Sequence, residues 1–101
     1  MVIDQTQKLM NLIGLAMRAG KIITGEELVL KALIAGKLKL VFIASDAGSA
    51  TTKKLNDKTT YYHVPIHDQL STEQLTKAIG RPRKIIGIND AGFAKGMVKL
   101  M

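Results

Sequence analysis

The architecture turns on "LKLVFIAS", Leu38 to Ser45. Its centre, Leu40 to Ala44, is continuously apolar, as expected of a strand buried on both faces of a sheet. Such a strand needs a cover above and below, and the flanking segments supply helices. Before it, "DQTQKLMNLIGLAMRAG" repeats Leu9, Leu12, Ile13, Ala16 and Met17 at the spacing of one helical face. Asp4 and Gln7 form a D-x-x-Q start signal, and Gly20 stands where a glycine cap ends a helix. "KIIT" is short and rich in β-branched residues, so a strand is expected there. A second helix then runs from about Gly25 to Ala35 and stops at Gly36.

After the central strand, "DAGSATTKKLNDK" reads as a loop and a polar third helix. Asp46 is expected to cap that helix or the turn before it. "YYHVP" reads as a strand, with Pro65 marking its end or an edge. "STEQLTKAIG" carries a Ser71-to-Gln74 capping box and a Gly80 stop. Lys84 to Ile88 form a last core strand. Asp90 caps a short terminal helix bearing Phe93, Met97 and Leu100. Strands alternate with helices, and no linker or repeat interrupts them. The pattern predicts an α/β fold spanning residues 1–101, a single-domain three-layer α/β/α sandwich around a small mixed sheet.

Composition narrows the function classes. The 101 residues hold 15 Lys and Arg against 8 Asp and Glu, a net charge of +7. A small basic domain of this kind most often meets a polyanion, and nucleic acid is the commonest. No cysteine is present, so disulfides, thiolate metal sites and cysteine nucleophiles are excluded. No apolar run approaches the roughly 20 residues of a membrane span. "MVIDQTQK" lacks the pattern of a signal peptide, and a cytoplasmic location is expected, with no membrane partner.

Catalytic motifs fail on spacing. "GLAMRAGKI" resembles a P-loop, but five residues separate Gly14 from Gly20 instead of four, and Ile22 occupies the magnesium-binding Ser/Thr position. His63 and His67 would lie about 13 Å apart in extended chain, and Pro65 blocks the helical route to proximity. No third ligand completes a metal site, and no cofactor is expected. The chain has only two Phe and two Tyr, with Phe42 inside the core strand, so a base-stacking sheet is not expected. RNA, if bound, should be a shaped RNA held by loops.

Three basic groups flank the loops: Arg18 with Lys21; Lys31, Lys37 and Lys39; and Arg81, Arg83 and Lys84 around Pro82. Spacing does not say whether they share one end of the sheet. "TGEELVLK", Thr24 to Lys31, adds a helix start whose free N–H groups suit a phosphate, with Gly25 allowing close approach. A glutamate within a basic surround can accept hydrogen bonds from base amino and imino groups. The same residues also read as plain helix-start chemistry. Thr24 and Glu27 match a T-x-x-E capping box, Glu26 suits the helix dipole, and Glu27 to Lys31 is the favourable i,i+4 order.

"TGEELVLKALIAGKLKLVFIASDAG" followed by "TEQLTKAIGRPRKIIGI" resembles the kink-turn RNA-binding ribosomal protein family, archaeal and eukaryal large-subunit proteins with small bacterial members. "NDKTTYYHVP" and "INDAGFA" extend the likeness in the same order over almost the whole chain. The resemblance implies the three-layer sandwich and binding of a sharply bent RNA, through the start of helix two and the loop before the last strand. It implies structured RNA as partner, ribosomal RNA among the sources, ribosomal proteins as neighbours, and a monomer. Gly25 and Lys31 match the family's glycine and lysine. Glu27 falls where many members carry Asn or Lys, and Leu28 where they carry Glu or Gln. The expected RNA-binding residues are therefore Lys21, Gly25, Glu26, Glu27, Leu28, Lys31, Lys37, Arg81, Pro82 and Arg83. A protein-interaction module binding a ribosomal or translation-factor protein is the competing reading.

Overall fold

The computed structural model describes residues 4–101. Met1 to Ile3, part of the stretch read for a signal, lie outside the described residues. The described residues form nine elements in chain order: α1 (Gln5–Arg18), β1 (Ile22–Thr24), α2 (Glu26–Ile34), β2 (Leu40–Ile43), α3 (Ser49–Tyr61), β3 (Ile66–His67), α4 (Thr72–Ile79), β4 (Ile85–Ile88) and α5 (Ala91–Val98). The strands form one sheet in the order β1-β4-β2-β3. β4 runs antiparallel to both β1 and β2, while β2 and β3 are parallel. The sheet is small and mixed, as the alternating pattern predicts.

β2 explains the layering. All four of its residues are buried, and alternate side chains enter different cores because strand side chains point to opposite faces. Leu40, Phe42 and Ala44 pack with Leu9 and Ile13 of α1, Leu75 of α4 and Met97 of α5. Val41 and Ile43 pack with Val29 and Leu33 of α2 and Leu55 of α3. β4 divides in the same way, with Ile86 and Ile88 in the first core and Ile85 in the second. Gly87 lies between them because Leu38 covers that position: a Cβ there would stand 2.7 Å from Leu38 Cδ1.

The helix boundaries follow local signals. The Asp4 carboxylate accepts from Gln7 N–H at 2.8 Å, and Asp90 accepts from Phe93 N–H at 2.8 Å. Ser71 and Gln74 make both bonds of the predicted capping box. α1 and α2 end in the same way. Lys21 N–H bonds the Ala16 carbonyl and Gly20 N–H that of Met17; Lys37 N–H bonds Ala32 and Gly36 N–H bonds Leu33. Each pair is a Schellman turn with a left-handed glycine.

Three expectations need correction. "YYHVP" is not a strand. α3 continues to Tyr61, Tyr62 caps it, and His63 turns the chain in the left-handed region at φ 58°. The strand begins only after Pro65, whose carbonyl accepts from Val41 N–H. Asp46 caps neither α3 nor its turn: its carboxylate accepts from Thr72 N–H at 2.9 Å and Thr72 Oγ1–H at 2.8 Å. It therefore pins the start of α4, 26 residues away. The Thr24–Glu27 capping box is absent too. The N-cap of α2 is Gly25, and no side chain bonds there.

The Thr72 backbone N–H, then its hydroxyl, hold the Asp46 carboxyl below the ordinary aspartate range, with a smaller pull from Lys84. The folded state thus favours the ionised form, and the bond stabilises fully above the unfolded-chain value. That contribution disappears as pH falls through the lower folded-state value. Thermal unfolding of wild type and Asp46→Ala should differ at neutral pH and converge in acid. A gap that stays constant across the titration would contradict this role.

Candidate nucleic-acid interface

Strand direction sorts the predicted residues. The C-terminal ends of β1 and β2 meet the N-terminal end of β4: Gly25 N–H bonds the Ile85 carbonyl at 2.9 Å, and Ala44 N–H bonds the Lys84 carbonyl at 2.7 Å. β3 ends on the same side, where Ser45 N–H bonds the Leu70 carbonyl. The start of α2, the loop into α3 and the last residue of the loop before β4 therefore share one end of the sheet. A depression of about 300 Å³ opens there, bounded by Gly25, Glu26, Gly48, Thr51 and Lys84.

Gly25 shapes this end. Its φ of 92° and ψ of 149° lie in a region that favours glycine. Its N–H is committed to β4 while its carbonyl accepts from Val29 N–H in α2. The first turn of α2 thereby begins at this sheet end, with N–H groups that have no partner within the helix. Arg81, Pro82 and Arg83 stand in the loop after α4, and Arg83 Nη1–H donates to the Pro82 carbonyl at 2.7 Å. Arg81 and Pro82 are exposed and Arg83 is half-buried.

The two glutamates part company. Glu26 is half-buried and pairs with Lys54 of α3 at 3.3 Å. As a solvent-screened pair it contributes at most about 1 kcal/mol. Glu27 is exposed and makes none of the ion pairs found among the described residues, so the expected Glu27–Lys31 pair is not formed. Leu28 is 56% exposed on the outer face of α2. It borders a groove of about 450 Å³ with Ile23, Lys31, Ala35 and Lys37.

Lys21 and Lys37 do not join the Gly25 end. Lys21 precedes β1, and its carbonyl accepts from Asn89 N–H, just beyond β4. Lys37 leads into β2, whose first residue pairs with Ile88. Both belong to the opposite end of the sheet. Conversely, Gly48, Thr51 and Lys54 of the α3 region were missed. No local signal marks them, since Lys54 meets a partner 28 residues away. The histidines are also explained: His67 packs its ring 5.3 Å from Phe42 at the sheet edge. Burial pushes its pKa down, partly opposed by Asp68.

A mixed four-stranded sheet between two helical layers, with helix starts and a basic loop converging at one end, defines a class of small α/β/α sandwich that presents a loop-built surface. The chain belongs to the ribosomal protein L7Ae/L30e/S12e/Gadd45 family, whose pattern matches residues 7–98. It is 54% identical over 95 residues to RNA-binding protein YlxQ of Enterococcus faecium, covering 94% of this chain and 92% of that one. With RNA-binding protein YlxQ of Bacillus subtilis (strain 168) it shares 41% over 91 residues, covering 89% and 91%. The solved structure of a protein with unknown function from Bacillus halodurans C superposes with a TM-score of 0.90 at 44% identity, covering 92% of this chain and 95% of that one. The Giardia lamblia 15.5kD RNA binding protein shares the fold with a TM-score of 0.80 at 22% identity, covering 100% and 93%.

Proposed function

We propose that this chain is a non-catalytic RNA-binding protein that recognises kink-turn-like structured RNA. The observation that carries the reading is the convergence of Gly25, the free first turn of α2 and Lys84 at one sheet end. The net charge of +7 and relatives named as RNA-binding proteins support it. The α2 amides and Lys31 address phosphates, while Glu27 accepts from guanine amino and imino groups near the bend. Arg81, Pro82 and Arg83 form the second jaw. Leu28 offers contact area without a base-edge hydrogen bond. Ribosomal RNA is the first source to test, with the chain acting as a monomer.

The decisive experiment is competition between a kink-turn RNA and the same duplex with its G·A pairs replaced. Preferential binding of the kinked RNA is expected; equal binding would reduce the chain to a generic basic binder. Lys31→Ala should weaken binding and reduce the slope of log affinity against log salt by about one. An unchanged affinity and slope would remove Lys31 from the interface. Tight, salt-insensitive capture of a translation protein without RNA preference would favour the protein-interaction reading instead.

A further inference from the structure

The end of the sheet opposite Gly25 is the more uniformly basic one. Two identical Schellman turns close α1 and α2 there, and each places a lysine, Lys21 and Lys37, immediately after its left-handed glycine. Lys39 joins them, its N–H donating to the Ile88 carbonyl at 2.8 Å. Ile88 is the common register point, paired with Ile22 on one side and Leu40 on the other. Lys21 and Lys39 thus precede strands two positions apart in the sheet, about 10 Å between their axes. All three lysines are exposed, and none takes part in the ion pairs among the described residues.

Helix dipoles do not account for the cluster. The C-termini of α1, α2 and α3, the last brought beside Lys39 by Tyr62 and His63, together present about one and a half negative elementary charges, against three lysines. The nearby carboxylate, Asp90, is engaged with the N-terminus of α5 through Phe93 N–H. At the Gly25 end, by contrast, Glu26, Glu27 and Asp46 temper the arginines and lysines. Lys31, in the last turn of α2, borders the same outer groove as Lys37, so positive charge extends from the lysine end onto the C-terminal half of that helix.

We infer that Lys21, Lys37 and Lys39 form a second RNA-contacting surface, which holds the sugar-phosphate backbone of a duplex stem leaving the bend. This rests on the RNA-binding reading above and extends it. A surface dominated by exposed lysines suits phosphates, which position an RNA without reading its sequence. A four-residue strand separates the two ends by about 13 Å. The lysines therefore address a part of the RNA other than the one held at the Gly25 end.

The test compares wild type, the triple variant Lys21→Ala/Lys37→Ala/Lys39→Ala and the triple Lys→Arg variant. The probes are a kink-turn RNA with long stems and the same RNA with its stems cut back to a few pairs. On the long-stem RNA the alanine variant should lose on the order of tenfold in affinity, with a salt slope reduced by about two to three. It should match wild type on the short-stem RNA and keep the preference for G·A pairs. The arginine variant should behave as wild type on both. An unchanged slope on the long-stem RNA, or equal losses on both RNAs, overturns the stem surface and leaves the kink-turn reading standing. Wild type that binds neither RNA overturns both. Thermal unfolding of each variant separates lost contacts from lost fold.

Discussion

Phe42→Ala is expected to lower the free energy of unfolding by about 3–5 kcal/mol, through lost transfer energy and the cavity left behind. Phe42 is completely buried at the middle of β2 and belongs to the core that joins the sheet to α1, α4 and α5. Its ring also supports His67 at the edge strand. Domains of this size hold only about 5–15 kcal/mol in total, so one substitution removes a large fraction. Urea unfolding should show a lower midpoint with an unchanged slope. A loss below about 1 kcal/mol would mean that the core collapses around the missing ring, contrary to the dense packing on both strand faces.

Gly25→Ala should damage stability and binding together. A Cβ at Gly25 meets nothing within 4 Å, so the cost is conformational and not steric crowding with neighbours. At φ 92° and ψ 149° a side chain-bearing residue is strained by about 1–3 kcal/mol. Relief requires the backbone to turn, but its N–H is tied to Ile85 and its carbonyl to Val29. The first turn of α2 would be re-aimed, and kink-turn RNA affinity should fall at least about tenfold, equivalent to 1.4 kcal/mol. Ile13→Val, buried in α1 within the core on the face of the sheet away from α2, supplies a control that costs about 0.5–1.5 kcal/mol without touching the α2 start. If both variants lose RNA affinity equally, Gly25 acts through general stability alone.

The helices and their ends were largely legible because their signals are local. Asp4, Ser71 and Asp90 each meet an N–H three residues on, a distance that helix geometry dictates. The helix-ending glycines Gly20, Gly36 and Gly80 adopt the left-handed conformation expected of them. "TGEE" misled for a physical reason. Thr24 is the last residue of β1, held in register with Ile86, so the cap falls one residue later on Gly25. "YYHVP" misled because aromatic and β-branched residues favour strands, yet Tyr61 and Tyr62 finish a helix. Tertiary pairing with Val41, available only from Pro65 onward, decides where β3 begins.

By itself the sequence determined the layers. A continuously apolar strand between amphipathic helices has no stable solution except burial from both sides. It also determined the charge surplus and supplied the family likeness that the matched residues bear out. Only the tertiary structure decided which loops meet. The pairing of β4 between β1 and β2 brings Gly25 to Lys84 and places Lys21 beside Lys39 at the far end. Those neighbours lie 59 and 18 residues apart in the chain, and no local periodicity records a sheet order. The basic groups whose relative placement the spacing left open thus divide between two ends of the fold, a mixed-charge end at the start of α2 and a lysine end beyond β4.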